Sequence, residues 1–251
     1  MQYVEFLTGI VQGDLGKSMK NGQPVADKIM FALPYTLELT FASVLLGVLM
    51  GVPLGIVTAL RRNGVADYMG RVFSLTGLSV PAFYLGIFLM LVFGVELGWF
   101  PVVGAGDSDS LLSRINHLVL PAFTLGLIMT AYVTRMTRSA MLNIMGEDYV
   151  RTARAKGLPD RVVMVRHALR SALIPIVSIV GLFTVSLIGS SVMTEIVFSR
   201  PGLGKMMVDS MKQRNYTTIQ SIMVVYAFVI VLINLFVDVL YGFVDPRVRY
   251  E

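Results

Sequence analysis

Hydrophobic residues are concentrated in five long stretches of the chain, and the segments between them hold the charges. The stretches that contain no Asp, Glu, Lys or Arg are 20 to 24 residues long and cover residues 39–60, 72–95, 115–134, 171–194 and 215–237. A helix of about 20 apolar residues crosses a hydrocarbon core of about 30 Å. We therefore predict an all-α membrane protein with five transmembrane helices.

The composition excludes several classes of protein. The chain is 55% hydrophobic and only 15% charged, with a mean hydropathy of +0.72, whereas soluble domains are about 25% charged. It has no cysteine and two histidines, His117 and His167, too few ligands for a zinc centre without several carboxylates. No Ser-His-Asp or paired-carboxylate pattern stands out. We predict no catalytic residues, no metal, no cofactor and no enzymatic activity.

The basic residues predict the orientation in the membrane. The segments around Arg61 to Arg71, residues 135–170 and the C-terminus hold 13 Lys and Arg, and the alternate segments hold 8. Because cytoplasmic loops carry the excess of basic residues, the first set is predicted to be cytoplasmic. The net charge of +5 follows from the same bias, so nucleic acid is not a predicted partner.

This orientation places residues 1–34 outside the cytoplasm, before a transmembrane domain of residues 35–251. The segment 1–34 has no signal-peptide pattern that would carry it across the membrane. We therefore expect a further hydrophobic helix to precede it in the native protein.

One short motif resembles a nucleotide site. Residues 13–18, GDLGKS, match the end of a phosphate-binding loop, but that motif requires glycine at position 11, where the chain has Val11. We predict no nucleotide binding here, so energy for any transport must come from another subunit.

Glycine and proline lie inside the predicted spans. Gly47, Gly51 and Gly55 recur at every fourth residue and so share one helix face, which predicts close approach of a second helix. Four prolines also fall within spans: Pro53, Pro81, Pro121 and Pro175.

Few polar groups lie at the predicted spans. Glu38 is at the start of one, and Asn234 and Asp238 are one turn apart in another, where Asp238 can pair with Arg247 or Arg249. We interpret these groups as structural. A proton-coupled secondary carrier of small solutes is the alternative function, but it should show more charge inside its spans.

The predicted cytoplasmic segment 135–170 reads as two helices separated by a glycine. Tyr149, Ala153 and Gly157 share one face of the first helix. Gly157 can end that helix in a left-handed conformation, and Pro159 suits the start of the next. A short helix with a small-residue face can dock into the groove of a partner protein. The alternative is a basic surface that contacts anionic lipid head groups.

The same segment resembles the coupling loop of ABC-importer permeases. That pattern is Glu-Ala-Ala, three residues, Gly, nine residues and Ile-x-Leu-Pro; here it is Arg151-Thr152-Ala153, then Gly157, then His167 to Arg170. The variant resembles the dipeptide, oligopeptide and nickel branch, as do GDLGKSM, RMTRSAML, TEIVFSRPGLG and VDVLYGFVDPRVR. The order of these stretches is similar to the first of the two permease subunits, which carries one additional N-terminal helix.

The resemblance implies a type I permease fold and a multi-pass protein of a bacterial or archaeal inner membrane. It implies that peptides are the substrate, with nickel, glutathione or opine-like compounds left open and the substrate-binding residues unknown. The implied partners are a sister permease, two ATP-binding subunits, an extracytoplasmic substrate-binding protein at residues 195–216, and membrane lipid. The residues implied to couple to the ATPases are Asp148, Tyr149, Arg151, Thr152, Ala153, Ala155, Gly157 and Leu158.

Overall fold

The computed structural model describes residues 8–9 and 13–244, and most of these residues are helical. The helices are α1 (Val25–Leu60), α2 (Val65–Ser79), α3 (Ala82–Leu89, followed by a π-helical turn Met90–Glu96), α4 (Leu111–Met145), α5 (Asp148–Ala155), α6 (Asp160–Val162, followed by a π-helical turn Val163–Leu169), α7 (Arg170–Val197), α8 (Leu203–Lys212) and α9 (Tyr216–Val244).

The long helices agree with the predicted spans. In the described ranges, α1, α4, α7 and residues Tyr216–Leu240 of α9 are long and apolar enough to cross a membrane, and α2 with α3 makes a fifth span if the pair is counted as one. α1 is longer than the charge-free stretch within it, so the predicted boundary between residues 34 and 35 falls inside a helix.

The sequence predicted one continuous helix over residues 72–95, but the structure breaks this stretch. α2 ends at Ser79, and the next residue, Val80, has an extended backbone (φ −83°, ψ 124°). The next residue is Pro81, which disfavours the helical conformation of the residue before it and cannot donate a backbone hydrogen bond. Pro121 and Pro175, in contrast, remain inside α4 and α7.

The described chain forms two compact units. One contains the chain up to Phe41, with Ala82–Thr124 and Leu187–Leu232; the other contains Ala42–Pro81, Leu125–Ser186 and the chain from Ile233. We call them the first unit and the second unit. The core of the first unit joins the start of α1 to α8 and α9 through Val25, Ile29, Ala32, Leu203 and Ile222.

In the second unit, the small-residue face of α1 packs against α4, as predicted. A Cβ atom added at Gly51 would lie 2.7 Å from Val133 Cβ, and one at Gly55 would lie 2.5 Å from Thr137 Cβ. Gly47 meets Met129 in the same way. The contacts advance by four residues on both helices, so the two backbones run side by side in close contact.

Candidate functional site

In the segment 135–170, residues 135–145 form the end of α4, and the rest folds as the two predicted helices around a left-handed glycine. We name residues 146–169 the coupling loop after their predicted role. Gly157 has φ +76°, and its N–H donates to the Arg154 carbonyl (2.9 Å). The Leu158 N–H donates to the Ala153 carbonyl (3.4 Å), which is the longer bond of a Schellman-type helix end. Pro159 is extended and directly precedes the next helix, which begins at Asp160.

Inside the coupling loop, α5 packs on the helix that follows it. Val150, Ala153 and Val163 form a buried cluster, and Ile144 packs against it. Ala153 is only 7% exposed. The sequence placed it on a face shared with Tyr149 and open to a partner, but Val150 and Ala153, three residues apart, form the inner apolar stripe of α5. Ala153 therefore lies on the inner face of α5, and the opposite face of this helix is exposed.

The other predicted coupling residues lie on the surface of the loop. Tyr149 is 45% exposed and Leu158 is 39% exposed, so an aromatic and an aliphatic side chain are accessible at the two ends of α5. Also exposed are Asp148, Arg151, Thr152, Ala155 and Gly157.

The charges on α5 pair only at the surface. Arg151 lies 3.6 Å from Asp148, and Arg154 lies 3.3 Å from Asp160. Exposed pairs of this kind contribute about 0–1 kcal/mol. Arg151 can therefore leave Asp148 at little cost if a partner offers a carboxylate.

The coupling loop is anchored to long helices within the second unit. Ala59 of α1 and Met141 of α4 form one buried cluster with four residues from the loop and α7: Met164, Ala168, Ala172 and Ile176. Protein interiors are close-packed and transmit displacement. A push on the loop therefore reaches parts of three long helices through apolar contacts.

An ion pair that the sequence analysis did not find fastens α2 to α4 in the second unit. Asp67 is fully buried, and Arg138 donates to both of its carboxylate oxygens, with an Nη2 to Oδ2 distance of 2.9 Å. The Asn63 N–H donates to the same carboxylate (2.9 Å). The only local signal was Arg71, four residues after Asp67, which lies 3.6 Å away.

In the first unit, Glu38 joins two arginines that are distant in sequence. It pairs with Arg114, and Arg200 Nη2 donates to Glu38 Oε2 (2.9 Å). Arg200 is 1% exposed, and its guanidinium lies over the Tyr35 ring, 5.5 Å from the centroid. Burial lowers the pKa of Arg200, while the Glu38 carboxylate acts in the opposite direction. The structural interpretation of Glu38 fits this geometry.

The first unit also contains an open cavity of about 480 Å³ between the segment before α1, the start of α1, and α8. Charges of both signs line it: Lys20, Asp27, Lys28, Lys205 and Asp209. Thr218 also lies in the lining, and its buried hydroxyl has no hydrogen-bond partner among the described residues. The cavity can therefore receive a group that carries both charge signs or several polar atoms.

Known proteins resemble this chain over its whole length. The family described as "Binding-protein-dependent transport system inner membrane component" matches residues 51–250. The chain belongs to this family. As a member, it is a multi-pass inner-membrane component of a transport system and not an enzyme, as predicted.

Individual relatives are similar to the chain at 40–44% identity, and each alignment covers all of it. They include the "Oligopeptide transport system permease protein AppB" of Bacillus subtilis (strain 168), 43% identical with 80% of the relative covered. The "Glutathione transport system permease protein GsiC" of Pectobacterium atrosepticum is 44% identical with 79% covered. The "Di/tripeptide transport system permease protein DppB" of Pseudomonas aeruginosa (strain UCBPP-PA14) is 40% identical with 81% covered.

Solved structures show the same fold at low identity. An inward-facing form of the MetNI methionine ABC transporter aligns with a TM-score of 0.69 at 21% identity, covering 86% of this chain and 96% of that one. An amino acid ABC transporter with histidines aligns with a TM-score of 0.66 at 16% identity, covering 94% and 97%. The predicted type I permease fold is confirmed, and so is the prediction of an ABC-importer permease. The secondary carrier is not favoured.

Several polar residues singled out in the sequence analysis belong neither to the coupling loop nor to the cavity of the first unit. His117 Nδ1 lies 2.8 Å from the Ser113 carbonyl, one turn earlier in α4. Asn234 and Asp238 are both exposed on α9. The proposed partners of Asp238, Arg247 and Arg249, lie outside the described residues, as does Val11 of the discounted phosphate-loop motif.

Proposed function

We propose that this permease imports short peptides, with glutathione included in that class, across the cytoplasmic membrane of a bacterium or archaeon. It forms the pathway with a sister permease, and two cytoplasmic ATPases and an extracytoplasmic binding protein complete the importer. The observation that carries the proposal is the coupling loop, in which α5 packs on Val163 and Ile144 while the neighbouring Met164 and Ala168 share a core with α1, α4 and α7. A partner that binds and moves α5 can therefore displace the ends of these long helices.

Peptide is the substrate class that the similar permeases share. Their names specify oligopeptides, glutathione, and di- and tripeptides, and all of these ligands carry amides and charged ends. The cavity of the first unit, with lysines and aspartates in one lining, fits a partner or ligand of the same mixed polarity.

The partners meet opposite sides of the membrane in this proposal. Tyr149, Leu158 and the exposed residues between them contact an ATPase groove, and Arg151 adds a cation at its edge. ATP-driven closure changes that groove, so the loop favours one state of the helices over the other. The exposed residues of the segment 195–216 contact the binding protein. Membrane lipid surrounds the long helices.

Uptake by the complete importer in vesicles tests this function. We expect tripeptide uptake that requires ATP and the binding protein, with competition by glutathione and none by a free sugar. A matched vesicle without the ATPases should show no uptake when a proton gradient is applied. Gradient-driven uptake in that vesicle would support the secondary carrier and contradict the proposal.

The predicted topology has a direct test in this cysteine-free chain. We expect a cysteine at Lys20 to react with an impermeant maleimide from outside, and one at Ser139 to react only after permeabilisation. Both positions are exposed, whereas Ser18 is 3% exposed and is unsuitable for labelling. The reverse labelling pattern would show that residues 1–34 are cytoplasmic.

A further inference from the structure

The conspicuous motif TEIVFSRPGLG, residues 194–204, surrounds a fully buried carboxylate. Glu195 is 0% exposed and lies in the last turn of α7. The Thr36 hydroxyl of α1 donates to Glu195 Oε1 (2.7 Å), and the Lys205 N–H of α8 donates to Glu195 Oε2 (3.0 Å). One carboxylate therefore joins three helices within the first unit.

These contacts provide hydrogen-bond acceptors for backbone N–H groups in the first turn of α8. The first four N–H groups of a helix have no partner inside it. Gly202, before α8, has no side chain to cap them. Instead, the Leu203 N–H donates to the Thr36 hydroxyl oxygen (2.8 Å), and the Lys205 N–H donates to Glu195. A carboxylate at this helix end is also favoured by the helix dipole.

The glycines of the motif leave the space that this arrangement needs. A Cβ atom at Gly204 would lie 2.7 Å from Val192 Cα and 3.0 Å from Glu195 Oε2. A Cβ atom at Gly202 would collide with the Glu195 carboxylate. The φ angle of Gly202 is −91°, so close approach to Glu195, and not a left-handed backbone, accounts for glycine there.

Arg200 provides a second set of hydrogen bonds that hold the connection between α7 and α8 in place. Its N–H donates to the Glu195 carbonyl (2.8 Å), and its guanidinium reaches Glu38 and the Tyr35 carbonyl of α1 (2.9 and 3.3 Å). The segment 200–205 is thus held at both ends against α1 and α7. The next residues of α8, including Met206 and Asp209, line the cavity.

We propose that Glu195 is a positioning residue that, with Thr36, holds α8 in place so that α8 and the segment before α1 present the cavity as one preformed surface to the binding protein. This inference rests on the proposed function. Glu195 is buried and acts through the backbone of α8, so it need not touch the partner. Without the carboxylate, the first turn of α8 loses its partners, and the binding protein must order α8 when it docks.

The test compares four variants of the complete importer in nanodiscs, with tripeptide-loaded binding protein as the probe. Glu195→Ala removes the acceptor, Gly204→Ala crowds it, and Glu195→Gln keeps an oxygen acceptor in the same shape. Gly189→Ala is the matched control, because it also adds one methyl group in the first unit but no atom lies within 4 Å of the added Cβ atom. Binding-protein affinity, basal ATPase rate and hydrogen exchange at the Leu203 and Lys205 amides are measured.

Glu195→Ala removes the acceptor of two hydrogen bonds, and Gly204→Ala crowds it. For both variants we expect affinity to fall at least about tenfold, the size expected for loss of one buried hydrogen bond to a charged group. The two amides should exchange faster, while the basal ATPase rate stays unchanged. Glu195→Gln should recover most of the affinity, and Gly189→Ala should match the wild type.

Unchanged affinity in Glu195→Ala would overturn the inference, as would equal loss of affinity and basal ATPase rate in Glu195→Gln, which would mark a residue needed only for folding. If the wild-type importer does not respond to peptide-loaded binding protein, the proposed function fails. The amide exchange of α8 in the four variants then still decides whether Glu195 holds that helix.

Discussion

Gly157→Val is expected to lower retention of the ATPase subunits on the purified permease about tenfold and to abolish transport. Gly157 has φ +76°, and a β-branched residue in that conformation costs about 1–3 kcal/mol, where 1.4 kcal/mol corresponds to about tenfold in an equilibrium. No neighbouring atom lies within 4 Å of an added Cβ, so the cost comes from the backbone alone. We expect the turn at residue 157 to open, so that α5 no longer packs on Val163.

The matched control is Gly157→Asn, because asparagine tolerates the left-handed region better than other side chains. It should keep most of the ATPase and most of the transport, as should Arg151→Ala, whose surface pair is weak. Co-purification of the ATPases and tripeptide uptake are measured on equal amounts of inserted permease. Full ATPase retention in Gly157→Val would remove the coupling role from this loop and leave the basic, lipid-facing surface as its interpretation.

Burial of Ala153 changes what a bulky substitution there reports. Ala153→Trp would separate α5 from Val150 and Val163, so its effect on transport mixes damage to the loop with loss of partner contact. Gly157→Val, compared with Gly157→Asn, tests the turn without adding volume to this core.

Gly51→Ala is expected to destabilise the permease, because the added methyl group crowds α1 against α4. The new Cβ would lie 2.7 Å from Val133 Cβ and 3.0 Å from the Thr130 carbonyl oxygen, so α1 and α4 must separate or bend. Overpacking of this kind costs about 1–3 kcal/mol. The thermal unfolding midpoint of the purified permease should fall, and the yield in the membrane should fall with it.

Gly189→Ala is the control for Gly51→Ala, because Gly189 also lies in a long helix but no atom is within 4 Å of its added Cβ. It should leave the unfolding midpoint unchanged or raise it, since alanine favours helix more than glycine does. Equal midpoints for the two variants would mean that the small-residue face of α1 does not determine how closely α4 packs.

The local features of this protein were determined by the sequence itself. A helix of about 20 residues without charge has one stable environment, the hydrocarbon core, so the spans follow from counting. Spacing by four residues places Gly47, Gly51 and Gly55 on one face whatever that face meets. Gly157 followed by Pro159 ends one helix and starts another through backbone preferences alone. The fold class and the shape of the coupling loop could therefore be predicted.

The tertiary structure determined which proline breaks a helix and which side chains Ala153 and Glu195 contact. Four prolines lie in apolar stretches, and only packing determines that Pro121 and Pro175 stay within helices while the chain breaks at Pro81, because neighbouring groups can compensate a freed carbonyl. The sequence predicted that Ala153 faces a partner, whereas in the structure Ala153 packs on Val163 inside its own loop. Glu195 meets Thr36 and Lys205 only after α1, α7 and α8 assemble. The contact between Glu195 and Thr36 joins residues 159 positions apart, and no local spacing in the sequence indicates it.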